Sequence, residues 1–452
     1  MKRQALESAI HGAVLGILLP AAMIVLAGSS HAGATWVVNP GGGGDATTIA
    51  GGVVLASQGD TIRIAAGTYP EMIAIQKGIS FIGFGGEVIW QGDGTASCLS
   101  IMNAHTLRIQ GIIFDGGGGD KGGGVYLESI TGGVTIVSCT FRNMTVTDRG
   151  GGVYAAYVVP LTVQQCVFSQ LEVSAGQRQG AGIYCNSDGV TILDSSFDNC
   201  VCTRGGALSL GPSGHLIERC TFSNCQANYA GALNLYGSNE TTVRNCTFTG
   251  NHANYAGGAI ELNGTGHVIE NNIFRENTAS TDGGAINAFS GSSNTIDGNL
   301  FVNNTGSVGG AIGNNDGLGD ITGNSFYGNT AGNGAAIGIY AGTPTIERNI
   351  FSNQTGFAIK CSSSSTPIMC NDFWQNSGGD GNGCTIAPED GNITLDPLFC
   401  DSAAGDFRLH ADSPCAAENA PAGCLGIGAY PVACSSTPIR QTTWGHVRTL
   451  FR

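Results

Sequence analysis

The sequence predicts an all-β chain wound as a right-handed parallel β-helix, a β-solenoid of about ten regular coils of roughly 26 residues plus capped ends. Three observations carry this. A Phe recurs at Phe114, Phe141, Phe168, Phe197, Phe222, Phe248, Phe274, Phe301, Phe326 and Phe351, at gaps of 25 to 29 residues. A Gly/Ala turn keeps the same period, with GGGV at Gly122 and Gly150, GAGI at Gly180, GGAL at Gly205, AGAL at Ala230, GGAI at Gly257, Gly283 and Gly309, and GAAI at Gly334. Between these landmarks lie short β-branched runs without helical periodicity, which selects strands over helices.

Stacking explains the residue types. Neighbouring coils lie about 4.8 Å apart, so each side chain sits on its counterpart in the next coil. Two residues before the Phe stand Cys139, Cys166, Ser195, Cys220 and Cys246, then Asn272, Asn299, Asn324 and Asn349. The first run reads as a buried Cys stack. The second reads as an Asn ladder with amides bonded from coil to coil, each bond contributing about 1 kcal/mol. Three residues after the Phe, Cys200, Cys225, Asn251, Asn277, Asn304 and Asn329 make a second ladder. Metal ligation is the sharper reading of these columns, but packing accounts for every member.

The paired landmarks GGA[ILV] and FxxN (FTGN at Phe248, FREN at Phe274, FVNN at Phe301, FYGN at Phe326) resemble the repeats of the polymorphic outer-membrane protein family over residues 122–376. The resemblance implies a β-helical, adhesin-like surface stalk. Only about 75 residues follow the last coil, too few for the membrane barrel that usually ends members of that family. The N-terminal GDTIRIAAGTYPE (residues 59–71) and KGISFIGFGG (77–86) resemble the opening of pectate-lyase-like β-helices. That likeness implies a short amphipathic helix, over 47–56, covering the first coil's strand edge.

The chain opens with Met1, Lys2 and Arg3, an apolar stretch over 13–26 and small residues to Ala32, which reads as a signal peptide over 1–32. The expected organisation is then an N-terminal cap and first coils (33–104), regular β-helix repeats (105–376), a Cys-rich closure (377–434), and a linker with a sorting or anchoring tail (435–452). Cys361, Cys370, Cys384, Cys400, Cys415, Cys424 and Cys434 fall outside the ladders or at their end, and several are expected to be disulfides in an oxidising compartment. The expected localisation is therefore secreted or at the cell surface. Without the signal peptide and the tail from Ser435, 14 basic and 32 acidic groups remain, a net charge of about −18. Nucleic acid is excluded as a partner by that charge, and a membrane is left only to the Arg-containing tail.

No catalytic set is legible. Gly-His-Gly with paired Asp, Asp-Pro-His and Val-Asp-Phe-Ile-Phe runs of the various β-helical carbohydrate enzymes are absent, and fold alone carries no activity. No cofactor is expected. Calcium has only weak candidates in Asp115 with Asp120, Asp316 with Asp320, and the loop over 378–383, for which solvated turns are the preferred reading.

One outward column stands out. Val125, Val153 and Ile183 point inward, so by strand alternation Tyr126, Tyr154 and Tyr184 point out, followed by Ser209, Asn234, Glu261 and Asn287. Lys121, Arg149 and Arg204 immediately precede the same turns, suggesting a basic rim beside an aromatic strip. The strip is either a glycan groove or simply good strand formers. The function expected is a binding or adhesin-like surface protein with a polysaccharide or host-surface ligand. The rival is a carbohydrate-active enzyme, which should gather an acid and a base, such as Glu261 with an Arg or Lys, in one concave groove.

Overall fold

The computed structural model describes residues 33–175, 179–363 and 365–435, so the signal-peptide and tail expectations fall outside the described residues. Within them the chain is a parallel β-solenoid of about 15 turns, not about ten. The extra turns lie at both ends, where the landmarks change identity. Tyr69 pairs with Trp90 and Trp90 with Phe114, so these two occupy the Phe column without being Phe. At the other end Phe373 stacks on Phe351 at 5.0 Å in a shorter coil, whose turn is GFAI at Gly356.

Each coil contributes to three parallel sheets. The first follows the Gly turn, as in Ile183–Asn186 and Ile260–Thr265; the second holds an inward Ile or Val, as in Thr191–Leu193; the third ends each repeat at the Phe, as in Ile273–Arg275. The buried Phe rings stack face to face, with centroids 4.8 Å apart from Phe248 to Phe274 and from Phe274 to Phe301. This spacing is the coil pitch itself, so the inward rings satisfy strand pairing and aromatic stacking together.

The Gly turns are fixed by backbone conformation. Gly283 has φ of 60°, and a Cβ there would run into the Ile286 carbonyl oxygen. The Asn ladders stand just after the other corners, where Asn271, Gly298 and Gly323 adopt φ of 54°, 64° and 60°. Asn272 Nδ2 donates to Asn299 Oδ1 at 3.0 Å, and the chain of amides continues through Asn324, Asn349 and Asn371 to Asn392. In the second ladder Gln354 replaces Asn after Asn329.

A helix, Ile49–Leu55, covers the first coil as expected, with Thr48 as its N-cap. Glu71 accepts from the Ile49 and Ala50 amides, and Lys77 Nζ donates to the Val53 and Ala56 carbonyls, so each end of the helix meets the charge its dipole favours.

The Cys-rich segment folds back along the flank of the third sheet. Its small sheet, Phe399–Asp401, Asp406–His410 and Val432–Cys434, brings Phe407 onto Leu300 and Val302, while Leu409, Cys415 and Ile427 pack on Ile350. Disulfides join Cys361 to Cys384, Cys370 to Cys424, and Cys400 to Cys434. Cys415 stays a buried thiol donating to Asp372 Oδ2 at 3.3 Å.

Candidate functional site

The outer surface of the first sheet carries the expected column. Strand register places Ser100, Tyr126, Tyr154, Tyr184, Ser209, Asn234, Glu261 and Asn287 in line through successive coils. Beside it, single parallel bridges align Lys121, Arg149, Gln179, Arg204 and Tyr229.

The tyrosines are not an open platform. Tyr126 stacks on Tyr154 at 5.0 Å and Tyr154 on Tyr184 at 5.4 Å, while Lys121 lies 5.1 Å from the Tyr154 centroid and Arg149 4.9 Å from that of Tyr184. Only 7% of Tyr154 is exposed. The coil pitch that stacks the Phe column inside stacks these rings outside, so their faces meet each other and the strip presents edges. Tyr126 Oη donates to Glu128 Oε2, and burial together with that bond pushes its ionisation above the usual range. Tyr154→Ala is therefore expected to cost about 3 kcal/mol of stability. Urea unfolding reads this directly, and a change within experimental error would mean that the rings do not support one another.

The cations of the basic rim face carboxylates. Lys121 Nζ lies 3.6 Å and Arg149 Nε 3.9 Å from the two oxygens of Asp148, and Arg204 Nη1 lies 3.8 Å from Glu261 Oε2. Arg204 also lies over Tyr229 at 4.6 Å, and Tyr229 stacks on Tyr255 at 5.1 Å.

Three concavities follow this column in order. The first, about 540 Å³, is lined by Met72, Ser100, Lys121 and Tyr126. A small one of about 160 Å³ lies between Tyr184, Ser209 and Asn234. The third, about 370 Å³, gathers Arg204, Tyr229, Tyr255, Glu261, Asp282 and Asn287. Together they trace an interrupted groove along the solenoid axis.

Glu261 is the chemically distinct group in it. The residue is 4% exposed, and burial lifts its carboxyl to about 7, with Arg204 opposing more weakly. Burial also raises Asp282, against a hydrogen bond from Tyr340. A buried carboxyl that titrates near neutrality can hold or release a proton under working conditions. Tyr229 and Asp282 were missed from sequence, although both immediately precede their turns as Lys121, Arg149 and Arg204 do; extending that position by further coils finds them.

Among the described residues no group of three or more His, Cys, Asp or Glu is arranged to hold a metal ion. Asp115 accepts from Arg142 and Asn143, and Asp120 accepts from Thr147, so these two calcium candidates already have protein partners. Asp316 and Asp320 are exposed on the surface.

Comparison with known proteins bears on the fold. The family model of the right handed β-helix region matches residues 181–332 and 230–396. The solved alginate lyase AlyGC of the PL6 family is similar at a TM-score of 0.51 and 16% identity, over 88% of this chain and 59% of that one. The fold is a right-handed parallel β-helix. This β-helix thus spans about three fifths of that lyase's length. A mannuronic-acid-specific family 6 lyase from human gut microbiota matches at 0.38 and 13% identity, over 77% of this chain and 83% of that one. The pectate lyase Pel9A matches at 0.32 and 14%, over 88% and 96%. No curated protein matches the β-helix.

Proposed function

We propose that this β-helix is an exported glycan-binding protein that holds an extracellular polysaccharide along the groove between Tyr126 and Asn287. The observation that carries the reading is the alignment of three concavities with a single column of polar and aromatic side chains along the axis. A coil pitch of about 4.8 Å repeats on the scale of a sugar unit, so a linear glycan laid along the axis meets equivalent positions in successive coils. The three disulfides support an oxidising, extracellular setting. The likeness of the repeats to polymorphic outer-membrane proteins supports display at a cell surface in an adhesin-like role. A glycan array with residues 33–435 tests the reading: retention of at least one polysaccharide is expected, and an array without any retained glycan would overturn it.

The raised carboxyl of Glu261 beside Arg204 and Asp282 favours a second reading, a carbohydrate-active enzyme with Glu261 as the proton-transferring group. Glu261→Gln should then leave binding intact and lower turnover by about 10²- to 10⁴-fold on any glycan that yields products. Product analysis by chromatography checks this. Undiminished turnover in the variant would remove Glu261 from the chemistry, and an absence of products from every retained glycan would leave binding alone.

A further inference from the structure

We infer that the groove selects a polysaccharide whose units carry hydroxyls and no carboxylate, and that it discriminates against polyuronates. The inference rests on the glycan-binding reading and names the substrate class of the same groove.

The floor offers acceptors. Asn234 and Glu261 are 3% and 4% exposed and occupy adjacent coils of one column. Asn234 Nδ2 is used, donating to Ser209 Oγ at 3.2 Å, but Asn234 Oδ1 has no hydrogen-bond partner among the described residues. Among the described residues Glu261 Oε2 accepts no hydrogen bond either; Arg204 Nη1 faces it at 3.8 Å, an ion-pair contact too long for a hydrogen bond. An unmatched buried acceptor costs free energy until a donor reaches it. Sugar hydroxyls supply donors, whereas an ionised carboxylate supplies only further acceptors.

Electrostatics points the same way. A uronate is normally recognised by a cation with capacity for a charge-assisted bond. Here Lys121 and Arg149 both face Asp148, and Arg204 faces Glu261, so the cations of the groove are already set against protein carboxylates. Asp282 adds another acid to the third concavity, and the whole chain carries a formal charge of −14. A polyanion approaching this surface meets repulsion.

The rim supplies what an uncharged sugar ring uses instead. Tyr255 and Phe289, both lining the third concavity, are 49% and 48% exposed, unlike the stacked and buried Tyr154. Open aromatic surface beside Glu261, with Asn234 one coil away in the neighbouring concavity, suits a ring with apolar C–H faces and hydroxyl edges.

The test is direct titration of residues 33–435 with hexasaccharides of β-glucan, mannan and galactan against oligogalacturonate and oligomannuronate of equal length. At least one uncharged hexasaccharide is expected to bind tenfold or more tighter than either uronate, with affinity nearly independent of salt. Asn234→Ala should weaken that binding about tenfold while leaving far-ultraviolet dichroism unchanged. Asp148→Asn, which removes the carboxylate facing Lys121 and Arg149, should raise uronate affinity in a salt-dependent manner. Equal or tighter uronate binding by the unaltered protein would overturn the inference while leaving the glycan-binding reading standing. Binding of none of these, together with an empty glycan array, would overturn both.

Discussion

Asn299→Leu is expected to destabilise the solenoid by about 3 to 5 kcal/mol, because one side chain accepts two hydrogen bonds and shares two N–H donors among three acceptors, whereas a leucine of similar size serves none. Asn299 Oδ1 accepts from the Asn272 backbone amide at 2.8 Å and from Asn272 Nδ2 at 3.0 Å. Its Nδ2 donates to Asn324 Oδ1, to the Ile269 carbonyl at 2.8 Å and to the Asp297 carbonyl at 3.0 Å. All lie in a fully buried corner that excludes water. The damage should be local, since each coil touches mainly its neighbours. Hydrogen exchange should therefore rise most in the coils between Phe274 and Phe326. Asn299→Cys is the informative control. Cys246 occupies the same column and donates Sγ to the Ile217 and Arg244 carbonyls, so a thiol satisfies part of the corner. A loss below 1 kcal/mol for the leucine variant would show that the ladder follows the fold without stabilising it.

What the sequence made legible was what repeats. Identical residues at one period announce a column, and the Phe, Cys and Asn columns all lie where the period put them. Tyr69 and Trp90 escaped because they continue the Phe column without being Phe, and Phe373 because its coil is shorter than the period, so the coil count fell short at both ends. The outward site column was readable from alternation alone, with Val125 in and Tyr126 out. Its chemistry was legible only in part: Glu261 with an Arg or Lys was the pair to look for, but that Arg204 is the partner crosses between columns and coils, which linear spacing does not encode. The stacking of Tyr126, Tyr154 and Tyr184 on one face was legible, since the pitch argument for Phe applies equally outside the coil; that stacking occupies the ring faces was the part missed. The fold-back of the C-terminal closure depends on long-range packing, yet it left a trace. Leu300 and Ile350 stand in outward positions that earlier coils fill with Thr221 and Thr247, and apolar side chains there require a cover.

Asp372→Asn is expected to change the acid stability profile by about 3 kcal/mol between pH 7 and pH 4, through a balance that the unaltered protein conceals. The closure buries Asp372 completely, and burial lifts its carboxyl to about 7, while bonds from the Leu395 amide and the Cys415 thiol oppose it more weakly. Between about pH 4 and 7 the folded chain keeps this proton and the unfolded chain releases it. Stability contributed here is present at low pH and is lost as pH rises toward 7, and buried Glu261 acts in the same sense. Two histidines act oppositely. His215 and His267 are 2% and 0% exposed, and burial lowers both to about 4, with Asp188 opposing at His215 and the Ser238 backbone at His267. Above pH 6.5 neither state binds these protons, but between 6.5 and 4 the unfolded chain takes them up first, so stability falls with acidification. The two pairs titrate over the same window with opposite sign, so in the unaltered β-helix they offset each other in part between pH 4 and 7. Removing the Asp372 titration leaves the histidines less opposed. Relative to the parent, Asp372→Asn should gain stability at pH 7 and lose that advantage by pH 4. Urea midpoints measured across this range decide the matter, and parallel profiles for variant and parent would mean that Asp372 titrates alike in the folded and unfolded chain.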